Sequence, residues 1–134
     1  MDVRNINVLV LAYLGDAIYE VYIREYLIRK NIAKVNELQK ESTNYVSARS
    51  QSMYLKMMID NNFFKEEERD IINRARNYKK NNHPKNTDII TYKYSTGFEA
   101  LIGYLYLNNN IERIEQIINY ILEVKEWMFM EKIL

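Results

Sequence analysis

An all-helical fold is what this sequence predicts, and three observations predict it. The 134 residues include only 3 Gly and 1 Pro, too few of the residues that turn tight hairpins for a many-stranded sandwich or barrel. Apolar side chains recur at helical spacing along most of the chain. Short polar stretches separate the periodic segments. An apolar fraction of 48% against 28% charged suffices to bury a core and excludes a disordered chain. At roughly 100 to 200 residues per domain, the length predicts a single domain, residues 1–134.

Between residues 6 and 29 the positions Val10, Leu14, Ala17, Val21 and Tyr22 recur at helical spacing, which predicts a long amphipathic first helix with those residues as its apolar stripe. Gly15 interrupts it at a cost of about 1 kcal/mol, and a glycine there lets another backbone or a substrate approach closely. Residues 31–36 form a polar connection. Leu38 begins a short helix, and Tyr45, Ala48, Met53, Leu55 and Met58 continue a second long one that ends at Asn61-Asn62. Residues 65–76 read as another helix, with Glu66, Glu67 and Glu68 in its first turn, where the macrodipole favours negative charge. Residues 77–88, the most polar run and the site of Pro84, are the principal loop. From Thr96 onward Phe98, Leu101, Ile102 and Leu105 mark a strongly apolar helix, and residues 111–130 supply the last one after Asn108-Asn109-Asn110.

Several function classes fall away. The chain has no Cys, which removes disulfide frameworks, thiolate metal sites and cysteine nucleophiles, and fits a reducing, cytoplasmic setting. No apolar run approaches the roughly 18 residues needed to cross a bilayer, and no basic segment precedes a greasy stretch at the start, so neither export nor membrane insertion is expected. There is no glycine-rich phosphate loop and no Ser-His-Asp order with a nucleophile turn. His83 is the only histidine and has no partner for a zinc site. Twelve Tyr and six Met read as packing material, and no nucleotide cofactor is implied.

Three regions could carry chemistry. Leu14-Gly15-Asp16-Ala17-Ile18-Tyr19-Glu20 places two carboxylates four apart on one helix face. Asp16 is flanked by apolar residues, where a carboxylate needs a positive partner: a divalent cation, or simply an arginine, unless it caps a helix broken at Gly15. Ser95-Thr96-Gly97-Phe98-Glu99 holds a lone acid in an apolar helix start, and Thr96 with Glu99 also has the spacing of a capping box, which needs no chemistry. Residues 74–93 carry Arg74, Arg76, Lys79, Lys80, Lys85 and Lys93 against the single acid Asp88, a local charge of +5 in a chain whose net charge is +1. Tyrosine, asparagine and threonine donors are interleaved there, so the run reads either as a dock for a polyanion or as a solvated loop. A helical domain with two embedded carboxylates and a basic loop admits metal-assisted phosphodiester chemistry, which these patterns do not select unaided.

The segments Leu11-Ala12-Tyr13-Leu14-Gly15-Asp16-Ala17-Ile18-Tyr19-Glu20, Tyr45-Val46-Ser47-Ala48-Arg49-Ser50-Gln51, Arg74-Ala75-Arg76-Asn77, Pro84-Lys85-Asn86-Thr87-Asp88 and residues 92–107 together closely resemble the mini-ribonuclease III family. The blocks occur in the family's order and span residues 6–118. The resemblance implies an all-helical, homodimeric ribonuclease III-like catalytic domain without an appended double-stranded RNA-binding domain. It further implies a Mg²⁺-dependent endonuclease that cuts double-stranded RNA, leaves 5′-phosphate and 3′-hydroxyl ends, and matures 23S ribosomal RNA from its precursor, with a ribosomal protein as a further partner on that precursor. Asp16 is then the catalytic carboxylate and Glu99 its partner in binding metal. Arg49, Gln51, Arg76, Lys79, Lys80, Lys85, Thr87 and Lys93 are expected to contact RNA, largely through phosphates and shape, because the A-form major groove is too narrow to read.

The sequence also departs from full-length ribonuclease III enzymes. Those carry acids where this chain has Leu9, Ala12 and Thr96, a difference the mini branch shares. Water and RNA phosphate must therefore complete the shell of a Mg²⁺ ion, which commonly keeps several waters. A decayed RNA-binding module on the same fold and a helical hydrolase of nucleoside triphosphates are the rival readings. Retention of Asp16 and Glu99 argues against the first, and the scarcity of E-x-x-E acids on one helix against the second. Composition alone leaves a helical scaffold with no chemistry.

Overall fold

The computed structural model describes residues 1–78, 85 and 88–133, with the side chain of Ile133 excepted. A 3-10 turn, Val3–Asn5, precedes six helices: α1 (Val8–Arg29), α2 (Val35–Val46), α3 (Ala48–Asp60), α4 (Glu66–Arg76), α5 (Ile89–Leu107) and α6 (Ile111–Ile133). No strand occurs among the described residues. Short polar side chains start α1, α3 and α5 by accepting otherwise unpaired N–H groups. Asn7 accepts from Leu9, Ser47 from Ser50 and Asp88 from Thr91. Asparagine also ends them. Asn31, Asn62 and Asn109 have φ of 64°, 54° and 58°, the left-handed geometry that follows a helix C-terminus and is more often taken by glycine.

Helix α5 lies at the centre, packed by α1, α3, α4 and α6. Every residue from Ser95 to Leu105 is buried except Glu99, so this helix is apolar on all sides. The core continues outward through Leu55 and Met58 of α3, Ile71 and Ile72 of α4, and Ile114, Ile117 and Ile121 of α6. Helices α4 and α6 are joined by a buried ion pair. Arg113 Nε donates to Glu68 Oε2 at 2.8 Å and its NH2 to Oε1 at 3.0 Å, with a further bond to the Phe63 carbonyl at 2.8 Å.

Two expectations about these elements are corrected. The buried face of α1 is the four-residue row Leu11, Gly15, Tyr19, Ile23 and Leu27, with Val8 and Ala12 beside it, and not the stripe through Val10, Leu14, Ala17, Val21 and Tyr22. Val10 and Val21 are 56% and 63% exposed. The helix is apolar on more than one face, so periodicity alone does not choose between them. Helix α5 begins at Ile89 and not near Thr96. Asp88 Oδ1 accepts the Thr91 N–H at 2.9 Å, whereas the Thr96 hydroxyl, two turns inside the helix, donates to the Tyr92 carbonyl at 2.9 Å. Thr96 and Glu99 therefore form no capping box.

Candidate active site

The site is built on a contact between two backbones. A Cβ at Gly15 would lie 1.7 Å from the Glu99 carbonyl oxygen, and a Cβ at Gly103 would lie 2.0 Å from the Leu11 carbonyl oxygen. Each glycine thus sits on the carbonyl of the residue four positions before the other, and no larger residue fits at either place. The helices meet so closely that Asp16, next to Gly15, and Glu99, one turn before Gly103, come together across the crossing. Here the expected pair of site residues is juxtaposed, and the reason for Gly15 is the approach of another backbone.

Asp16 and Glu99 share an open cleft of about 220 Å³ with Leu9, Ala12, Tyr13, Tyr92 and Thr96. Leu9, Ala12 and Thr96 are the positions where the sequence lacks additional acids, and all three line this wall. The two carboxylates differ in setting: Asp16 is exposed and Glu99 is partly buried. Burial, and then the hydrogen bond and negative charge of Asp16, push the Glu99 carboxyl up to about 8, while a hydrogen bond from Gln51 acts in the opposite direction. Two carboxylates forced together in this way favour either a shared proton or a cation between them. Their all-oxygen donor set suits a hard divalent ion such as Mg²⁺, which is commonly held by one or two carboxylates with water and phosphate making up the rest. No cluster of three or more potential ligands occurs among the described residues. Glu20, one turn further along α1, pairs with Arg24 at 3.4 Å and does not line this cleft.

The expected RNA contacts are dispersed. Arg49, Lys85 and Lys93 are exposed, while Lys79, Lys80 and Thr87 lie outside the described residues, as does His83. The Arg76 guanidinium lies over the Tyr94 ring at 4.0 Å, with Lys56 Nζ over the same ring at 4.7 Å. Lys56, from α3, adds a cation beside the basic segment that no local reading of residues 74–93 includes. Gln51 is 1% exposed, and its Nε2 donates to the Val46 carbonyl at 3.1 Å and to Glu99 Oε2 at 3.4 Å. Its place is beside the acid, not on the surface where phosphate would reach it.

Comparison with known proteins fits this geometry. The ribonuclease III domain model matches residues 9–110. The fold and its match therefore define a ribonuclease III-type catalytic domain, the class of double-strand-specific endoribonucleases. Mini-ribonuclease 3 of Streptococcus pneumoniae is 41% identical over 126 residues, covering 94% of this chain and 98% of that protein. The same enzyme of Enterococcus faecalis is 44% identical over 119 residues, covering 89% and 90%. A crystal structure of a Fusobacterium nucleatum protein superposes with a TM-score of 0.82 at 36% identity, covering 92% of this chain and 98% of that one. The chain belongs to the mini-ribonuclease III family.

Proposed function

We propose that this chain, as one catalytic domain over residues 1–134, is a Mg²⁺-dependent endoribonuclease. It cuts double-stranded RNA and matures the ends of 23S ribosomal RNA within its precursor. The observation that carries the reading is the meeting of Asp16 and Glu99 across the backbone contact of Gly15 and Gly103. Family membership supports the substrate class, and the resemblance described above supports the precursor, the cytoplasmic setting and an accessory ribosomal protein. Among the described residues no helix is long and apolar enough to cross a membrane.

Asp16 and Glu99 would hold the metal through their carboxylate oxygens. Bound there, Mg²⁺ supplies neutralisation of phosphate charge and a more acidic water. Glu99 must first release the proton that its burial and Asp16 favour. Exposed Asp16 faces the open side of the cleft, where the scissile phosphate would enter. Water attacks phosphorus, the bond to the 3′ oxygen breaks, and that oxygen takes up a proton, leaving a 5′-phosphate and a 3′-hydroxyl. Arg49, Arg76, Lys85 and Lys93, with Lys79, Lys80 and Thr87, are proposed to bind the RNA backbone; Gln51 is withdrawn from this group. Exposed Val10, Tyr13, Val21 and Ile28 on α1 offer apolar surface for the homodimer, whose two sites would cut opposite strands.

The test is incubation of the purified protein with a long double-stranded RNA and Mg²⁺, beside Asp16→Asn and an EDTA control, with the ends mapped. Staggered cutting that both controls abolish is the expected outcome. Intact RNA bound by a folded wild-type protein, on a precursor substrate as well, would replace the enzyme with an RNA-binding module.

A further inference from the structure

One amide near the site is placed at a cost to packing. Gln51 closes the first turn of α3 and is almost wholly buried, with its Nε2 shared between the Val46 carbonyl at the end of α2 and Glu99 Oε2. Those two acceptors engage both protons of the nitrogen and so fix which way the amide points. Turned over, it would press its oxygen against a carbonyl and a carboxylate. Gln51 Oε1 is consequently directed into the interior, where it is buried and has no hydrogen-bond partner among the described residues. An unpaired buried acceptor costs about 1–3 kcal/mol. A methionine of similar length would fill the same space without it. Native structures retain few such atoms, and those they retain are accounted for by a role at a site or by a bound water.

The explanation lies in the group that Gln51 reaches. Glu99 projects from an otherwise buried helix toward another carboxylate, and once both are ionised, as metal binding requires, the like charge of Asp16 drives the two apart. An N–H donor anchored on a different element counters that tendency. We infer that Gln51 is a positioning residue for the carboxylate pair, its amide tethered to α2 through Val46 and holding Glu99 Oε2 so that the carboxylate stays beside Asp16. The inference rests on the proposed role of Asp16 and Glu99 as a metal-holding pair. Gln51 acts through Glu99 and touches no substrate. Loss of such a supporting partner typically lowers metal affinity or activity about 10- to 100-fold.

The experiment compares wild type, Gln51→Met and Asp16→Asn by four readouts: melting temperature in EDTA, the Mg²⁺ concentration giving half of the Mg²⁺-induced rise in melting temperature, double-stranded RNA affinity in EDTA, and kcat with KM. Gln51→Met is expected to melt at or above the wild-type temperature and to bind RNA unchanged. Its Mg²⁺ midpoint should rise about 10-fold and its kcat fall about 10- to 100-fold, with KM unaffected. Wild-type values for both the midpoint and kcat would overturn the inference. So would weakened RNA binding with kcat intact, which would make Gln51 a substrate contact. Should Gln51→Met fail to fold, Gln51→Asn keeps the amide but falls one methylene short of Glu99, and the same pattern is expected of it. A wild type that cuts no RNA, while the midpoint still shifts in Gln51→Met, would sink the nuclease reading and leave the positioning role standing.

Discussion

Replacing Gly15 with alanine asks the structure to separate two backbones at the point where the acids meet. In an ordinary helix interior Gly→Ala gains about 1 kcal/mol. Here the new Cβ would stand 1.7 Å from the Glu99 carbonyl oxygen, 2.7 Å from its carbon and 2.9 Å from the Gly103 nitrogen. Real Cβ contacts essentially never fall below 3.0 Å, so widening 1.7 Å to that limit moves the two backbones apart by about 1.3 Å. All three obstacles are backbone atoms, and none can turn aside as a side chain would. Overpacking costs about 1–3 kcal/mol in cores that can relax, and this crossing relaxes poorly, so a net loss of about 2 kcal/mol is expected after the propensity gain. The same displacement lies between Asp16 and Glu99, and a misplacement of about 1 Å can cost on the order of 100-fold in rate. Thermal melting and single-turnover cleavage of double-stranded RNA at saturating Mg²⁺ read the two effects. Gly97→Ala is the comparison for a tight approach without overlap, since its Cβ would lie 3.1 Å from Arg76 Cγ, 3.2 Å from the Ile72 carbonyl oxygen and 3.3 Å from Ile72 Cγ2. A Gly15→Ala protein that melts like wild type and cuts within about threefold of its rate would show that the crossing accommodates a Cβ without displacing the acids.

Two further outcomes follow from the charges. Glu99 is pushed up to about 8 in the folded chain from an ordinary 4.5, so between those values the native state holds a proton that the unfolded state has lost, and stability falls as pH rises through that window. In EDTA, Glu99→Gln should lose this pH dependence and melt above wild type at pH 8; equal melting curves from pH 5 to 8 would show that the folded carboxyl is not raised. Between α4 and α6, Arg113→Ala leaves Glu68, whose side chain is 1% exposed, without its cation and with the Lys65 N–H as a donor, and should cost about 3–5 kcal/mol. The pair Arg113→Met with Glu68→Leu is expected to recover most of that. If single and double variants melted together, the unpaired charge would not be the cause.

The helical class and most helix ends are legible in the sequence because they depend on neighbours. Asn31, Asn62 and Asn109 stand where the polar stretches break the periodic segments, and their left-handed φ values supply the chain reversals. What depends on distant partners is not legible. Helix α1 shows two apolar faces, and only the arrival of Gly103 on Gly15 selects the row from Leu11 to Leu27. The start of α5 was hidden because Thr96 and Glu99 copy the spacing of a cap, while Asp88, the residue that does cap, sits at the end of a polar run. Asp16 and Glu99 could each be singled out as acids in apolar settings, but not paired without the family resemblance. Gln51 lies 48 residues from Glu99, and nothing near it in sequence distinguishes a buried tether from a surface amide. Glu68 and Arg113, separated by 45 residues, left no local trace either.

The early start of α5 has a mechanical consequence. From Asp88, where the helix is pinned by Thr91, to Glu99 the chain is one unbroken rod, rising about 1.5 Å per residue. Tyr92 and Glu99, two turns apart, therefore mark out a stretch of roughly 10 Å along the cleft that can neither lengthen nor fold. Had the helix begun at Thr96, Lys93 and the acid would be joined by slack chain, and a pull on one would be lost before reaching the other. As built, Lys93 and Glu99 keep one separation along the rod, whatever binds at either end.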